Sequence, residues 1–253
     1  MTGTLLSRFD ISRVLALMLA AVFAAAQAAS PSPDLSYRPS DPLNSVAFSH
    51  FYNLDYDRAV QEFEQVLQRH PNDPFAVNHL LTAVLFRELY RVGALNTSEY
   101  ANDSFVHVAH RAADPAMQKE IKDLVQRALG LEEKLLSANP KDVGALYARG
   151  VTRAQFATYT GLIERAWFSA LRNALGARHD HERVLELDPS DGLALYHSAC
   201  AHALLGETSP SLMMLRRAFD SGFRAVAQAA SADSAFASIA AEPEFRRLVA
   251  ELL

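Results

Sequence analysis

Three stretches of this chain stop in the same way. "EFEQVLQRHPND", "LEEKLLSANPKD" and "HERVLELDPSD" each carry apolar residues at i, i+3, i+4 spacing, run into a proline (Pro71, Pro140, Pro189) and close on a polar turn. "LMMLRRAFDSGF" repeats the ending with Phe223 in the proline slot. An apolar stripe at helical period has to be buried, and proline, which lacks an N–H, helps to stop the helix that carries it. A chain that repeats this device is committed to packed helices rather than to a sheet. Composition agrees: glycine is sparse at 10, alanine, leucine and glutamate are plentiful, and β-branched runs are missing.

The residues upstream of each ending complete a pattern. Ala59, Ala128 and Ala177 stand 12 positions before their prolines, where two helices of a hairpin cross and a large side chain would push them apart. Phe63 and His181 follow four positions after the first and third of these alanines, in an aromatic packing slot. Small residue, aromatic four later, proline twelve later: this resembles the tetratricopeptide repeat, a helix-turn-helix unit of about 34 residues. The resemblance covers residues 43–253. It implies an all-α helix-turn-helix solenoid of about four irregular repeats, closed by the capping segment "SADSAFASIAAEPEFRRLVAELL". The intervals depart from the standard length: Pro71 to Pro140 is 69, Pro140 to Pro189 is 49, and only Pro189 to Phe223 is 34. The third repeat therefore carries about 15 extra residues, expected as longer helices. The second either carries an insertion or hides a degenerate repeat. The favoured reading is a helix from Phe75 to about Arg91, a long loop over about 92–113 through "GALNTSEYANDS", and a helix from Pro115 to Ser137 started by Asp114-Pro115.

The N-terminus reads as a targeting segment. Arg8 and Arg13 precede the apolar run Val14–Ala29, which ends in the small-residue site Ala26-Gln27-Ala28. That is the plan of a cleaved secretory signal peptide over residues 1–29, with a retained anchor as the alternative, and the run is short for a membrane span of about 20 residues. Its alanine-rich centre points to a bacterial envelope, and hence to a periplasmic or extracellular protein without stable membrane insertion after cleavage. Residues 30–42, "SPSPDLSYRPSDP", read as a proline- and serine-rich linker. Formal net charge is −5 for the chain, and −6 once two arginines and one aspartate leave with the signal. No basic field gathers nucleic acid. The lone Cys200 excludes an internal disulfide framework.

No constellation of residues demands catalysis or a cofactor. G-x-S-x-G and Gly-rich phosphate loops are missing, and "HERVL" fails as a zinc helix because position 185 is leucine. His179 and His181 point apart on a helix, and His107 with His110 lack a third ligand. Cys200 sits in the apolar "LALYHSACAHALL", which reads as a buried thiol. Asn96 and Asn102 head glycosylation sequons, relevant only to a eukaryotic host.

Two faces remain for binding. The resemblance implies that the first helices of successive repeats line a concave groove offering Asn44, Phe48, Phe51 and Tyr52, then Asn78 and Thr82, then Tyr147, Val151 and Gln155, then Tyr196 and His197. Tyr147, Ala148 and Tyr196 occupy slots where family members that grip a terminal carboxylate carry lysine and arginine, so the groove suits a polypeptide with apolar side chains. On the stretch Thr158–Pro189, Ile163, Trp167, Leu171, Ala174 and Leu175 predict a buried stripe anchored by Trp167. Arg165, Arg172, His179 and Arg183 predict an outer basic stripe, which is either a solvated face or a docking site for an acidic partner or lipid headgroup. The expectation is a scaffold or interaction module recognising a protein or peptide. The alternative is a small-ligand carrier or enzyme with a pocket between the 93–113 loop and the helices near Arg153, Tyr159 and Trp167.

Overall fold

The computed structural model describes residues 40–94, 114–204, 207–222, 230, 236 and 239–251. The signal segment 1–29, the linker up to residue 39, most of the long loop, both sequons, His107, His110 and the Phe223 slot lie outside the described residues. Within them the chain forms nine α-helices and no strand. These are α1 (Leu43–Tyr52), α2 (Tyr56–Arg69), α3 (Pro74–Arg91), α4 (Pro115–Ala138), α5 (Val143–Leu162), α6 (Trp167–Leu187), α7 (Gly192–Leu204), α8 (Thr208–Asp220) and α9 (Pro243–Ala250). Both helices expected around the long loop are present, within a residue of their expected ends. None of the described helices is long and apolar enough to cross a membrane.

The three proline turns repeat bond for bond. His70, Asn139 and Asp188 each donate their N–H to the carbonyl four residues back, closing α2, α4 and α6. Proline follows, where it cannot continue the helix. Asp73, Asp142 and Asp191 each donate back across the turn to those same three residues, at 3.2, 3.0 and 3.2 Å. Their carboxylates then cap the next helix, accepting from Phe75 N (2.8 Å), Ala145 N (2.9 Å) and Ala194 N (2.8 Å). One P-x-D tripeptide thus ends one helix and starts the next, and Arg127 and Arg217 donate from distant helices to the Pro71 and Pro189 carbonyls, each at 2.7 Å. Asp114 caps α4 in the same manner. Asp41, in the linker by its sequence, has a buried carboxylate that accepts from Leu43 N, from Arg69 of α2 and from His70 just past its end.

Each helix from α1 to α8 packs on its chain neighbours, and α3 also reaches α5. The small residues at the crossings, Ala59, Ala128 and Ala177, are buried. Gly150 is a further close approach: a Cβ there would lie 2.7 Å from the His181 ring, so only glycine lets α5 and α6 meet with an imidazole between them. The extra length between Pro140 and Pro189 resides in α5 and α6, of 20 and 21 residues, against 13 each for α7 and α8.

The core is divided. One apolar cluster gathers α1, α2, α3 and the first half of α4, with Tyr159 and Ile163 from the end of α5. The other gathers Leu136, the start of α5, Val184, α7, α8, Phe236, Ile239 and α9. Along α4 the change falls between Ala128 and Leu136, and along α5 between Tyr147 and Tyr159. Buried polar groups occupy both intervals.

Candidate functional site

The belt between the clusters is built from polar side chains of α3, α4 and α5. Glu132 of α4 is fully buried. Thr152 of α5 lies 2.6 Å from Glu132 Oε1 and 2.7 Å from Asn78 Oδ1 of α3, with its hydroxyl shared between them. The Asn78 amide donates to the Ala148 carbonyl at 3.0 Å, and Gln155 donates to Thr82 Oγ1. Glu132 Oε2 and Gln155 Oε1 are buried without a hydrogen-bond partner. Desolvation raises the Glu132 carboxyl to about 7, against the pull of Thr152, Arg149 and Asn78 toward the ionised form. Beside it, Asp180 of α6 is fully buried and held by Arg149 (2.7 Å) and Arg153 (2.6 Å) of α5. Glu132 carried a legible signal: Ile121, Val125, Ala128, Glu132 and Leu136 form one stripe at spacings of 4, 3, 4 and 4, and the acid falls on it.

The groove residues serve the interior. Asn44, Phe51, Asn78, Tyr147, Gln155, Tyr196 and His197 are buried, and Phe48, Tyr52, Thr82 and Val151 half-buried. Phe48 packs edge-on against Phe63 and His79, each at 4.9 Å, and stacks on Tyr52. Tyr147 stacks between Phe75 and His197 and touches His181. Tyr196 packs against Phe236. Of the eleven residues expected to line a peptide groove, seven are thus buried among the helices and four are half-buried. An amide or aromatic ring at these positions looks the same in sequence whether it grips a peptide or a neighbouring helix.

His181 and His197 meet with ring centres 5.3 Å apart. His181 Nδ1 and both nitrogens of His197 lack hydrogen-bond partners. Burial lowers them to about 4 and about 3; for His197 the neighbouring His181 adds to the shift and Asp191 opposes it without reversing it. His179 is exposed, so the two histidines of the 179–181 triplet do point apart. Among the described residues no group of three or more His, Cys, Asp or Glu is placed to hold a metal. Cys200 is buried.

The outer stripe is redrawn. α6 begins at Trp167, not upstream, and Arg165 sits in the preceding turn at φ 54°, in left-handed backbone that costs a non-glycine residue about 1 kcal/mol. Ala166 N donates across this turn to the Thr160 carbonyl at 2.8 Å. Ile163 therefore belongs to the end of α5, and the predicted single stripe through Ile163 and Trp167 does not exist. Trp167 is half-buried at the head of α6, and Leu175 is exposed. Arg165 likewise leaves the basic stripe, and Arg183 pairs with Glu186. Arg172 and His179 remain on the open face. Phe168, overlooked in the sequence, stands beside them at 92% exposure.

Near the alternative pocket, Tyr159 is fully buried and Arg153 is engaged by Asp180, while residues 95–113 of the loop expected to close it lie outside the described residues. An open cleft of about 450 Å³ lies elsewhere, between the His70–Phe75 turn and Leu135, Asp142, Gly144 and Ala145. Its two carboxylates, Asp73 and Asp142, are occupied as helix caps. No family model, curated protein or solved structure matches the chain.

Proposed function

We propose that this chain is an exported interaction module of tetratricopeptide-like helix pairs that binds a polypeptide partner. The observation that carries the reading is the bond-for-bond recurrence of the P-x-D turns at Pro71, Pro140 and Pro189, each joining one helix to the next. Consecutive helices packed on their chain neighbours give an extended surface rather than a single enclosed pocket, and such arrays serve recognition. Export rests on the charged, apolar and small-residue order of residues 1–29. The test is affinity capture of the tagged mature chain from the envelope fraction of its source cell. A polypeptide recovered in a fixed ratio is expected. Recovery of none, together with a small-molecule adduct by native mass spectrometry, would replace this reading with the ligand-carrier one.

A further inference from the structure

One exposed strip of α6 mixes apolar and basic side chains. Phe168, Arg172, Leu175 and His179 follow at spacings of 4, 3 and 4, so at about 100° per residue they fall within one narrow strip. The buried Ala170, Ala177, His181 and Val184 lie on the opposite side, against the body of the protein. Phe168 is 92% and Leu175 45% exposed. The other arginines within α6 are neutralised: Arg178 pairs with Glu182 and Arg183 with Glu186. Among the described residues the side chains of Arg172 and His179 make no ion pair or hydrogen bond.

We propose that this strip of α6 is the docking surface for the polypeptide partner, and that its occupant is an acidic amphipathic helix. This rests on the reading of the chain as a polypeptide-binding module and names the class of partner. Two unpaired basic groups alternating with two exposed apolar groups call for carboxylates alternating with apolar side chains. The spacing selects a helix. Phe168 to Leu175 and Arg172 to His179 are each seven residues, about 10.5 Å along the axis. A facing helix repeats its own side chains at that heptad distance, with apolar knobs on the seam and charges flanking it. An extended strand presents side chains to one face every two residues, about 6.6 Å, and falls out of step. A membrane surface is the less fitting occupant, because an interfacial helix needs a wide apolar face and here that face is turned into the protein.

The experiment uses the full mature chain and a fluorescently labelled synthetic peptide of about three heptads, with leucines at heptad spacing flanked by glutamates. Controls are the same peptide with lysine for glutamate, and phosphatidylglycerol vesicles. By fluorescence anisotropy the acidic peptide should bind, Arg172→Glu should weaken it about tenfold, and Phe168→Ser with Leu175→Ser should weaken it at least about thirtyfold. Both variants change exposed residues, and unaltered thermal unfolding establishes that they fold. Equal binding of the lysine peptide, binding of vesicles in place of peptide, or indifference to both variants overturns the proposal. Envelope capture separates the two levels: a partner retained by Phe168→Ser with Leu175→Ser removes the α6 surface and leaves the module standing.

Discussion

Replacing Glu132 by glutamine tests the polar belt directly. The carboxyl is fully buried, one of its oxygens has no partner, and desolvation raises it from 4.5 to about 7. Between those values the folded chain holds a proton there that the unfolded chain releases. The associated stability is complete below pH 4.5 and is lost as pH rises through 7. From pH 5 to pH 8 the loss amounts to about 2.5 kcal/mol, taking 1.36 kcal/mol per pKa unit. Glutamine has nearly the same shape, can still accept from Thr152 and cannot ionise. It abolishes this contribution while leaving other titrations in place. Urea unfolding of both proteins at pH 5 and pH 8 gives four free energies, and their double difference isolates the belt. The variant should gain about 2–3 kcal/mol relative to wild type on passing from pH 5 to pH 8. Parallel profiles would refute the account: Glu132 would then be ionised in the fold at no cost, which requires water or a cation on its free oxygen.

His181→Phe should act in the opposite direction. A histidine depressed to about 4 stabilises the fold above pH 6.5 and withdraws that stability as pH falls through the window from 6.5 to 4. Removing the titration should spare about 2 kcal/mol between pH 8 and pH 5, read by the same urea series. Gly150→Ala improves helix propensity, yet should destabilise by about 1–3 kcal/mol because its methyl meets the His181 ring at 2.7 Å, as thermal unfolding would register. Asp142→Ala should cost about 1 kcal/mol through the lost cap of α5, with helical content by circular dichroism almost unchanged. Tyr196→Ala should cost about 3–5 kcal/mol, since the ring is buried against Phe236; unchanged stability would restore it to an open groove.

Much of the architecture is local and was legible in the amino-acid order. The backbone hydrogen bonds of the proline turns join residues within four of one another, so P-N-D, P-K-D and P-S-D report their helix ends directly. Asp114-Pro115 announces α4 in the same way. The alanines twelve before each proline announce the crossings, because steric exclusion depends on their own size. His181 in the aromatic slot was legible for the same reason, and its contact with Gly150 adds the partner. Export of the chain remains an inference from residues 1–29 alone.

The candidate sites were legible only in part, because burial is a property of pairs of helices. Tyr147 and Gln155 look like peptide-gripping residues until Phe75 and Thr82 of α3 are set against them. Asp180 reads as a surface acid until Arg149 and Arg153 close on it from α5. The turn at Arg165 has neither glycine nor proline to mark it, and its left-handed backbone rotates every later residue of α6 away from the stripe a continuous helix would make. That rotation turns Phe168 and Leu175 to solvent beside Arg172 and His179. Hydrogen bonds between near neighbours determine where each helix of this protein begins and ends. Which side of it meets water is written in the apolar stripes of α2 and α4, but for α6 and the polar belt it is decided by the helices packed against them.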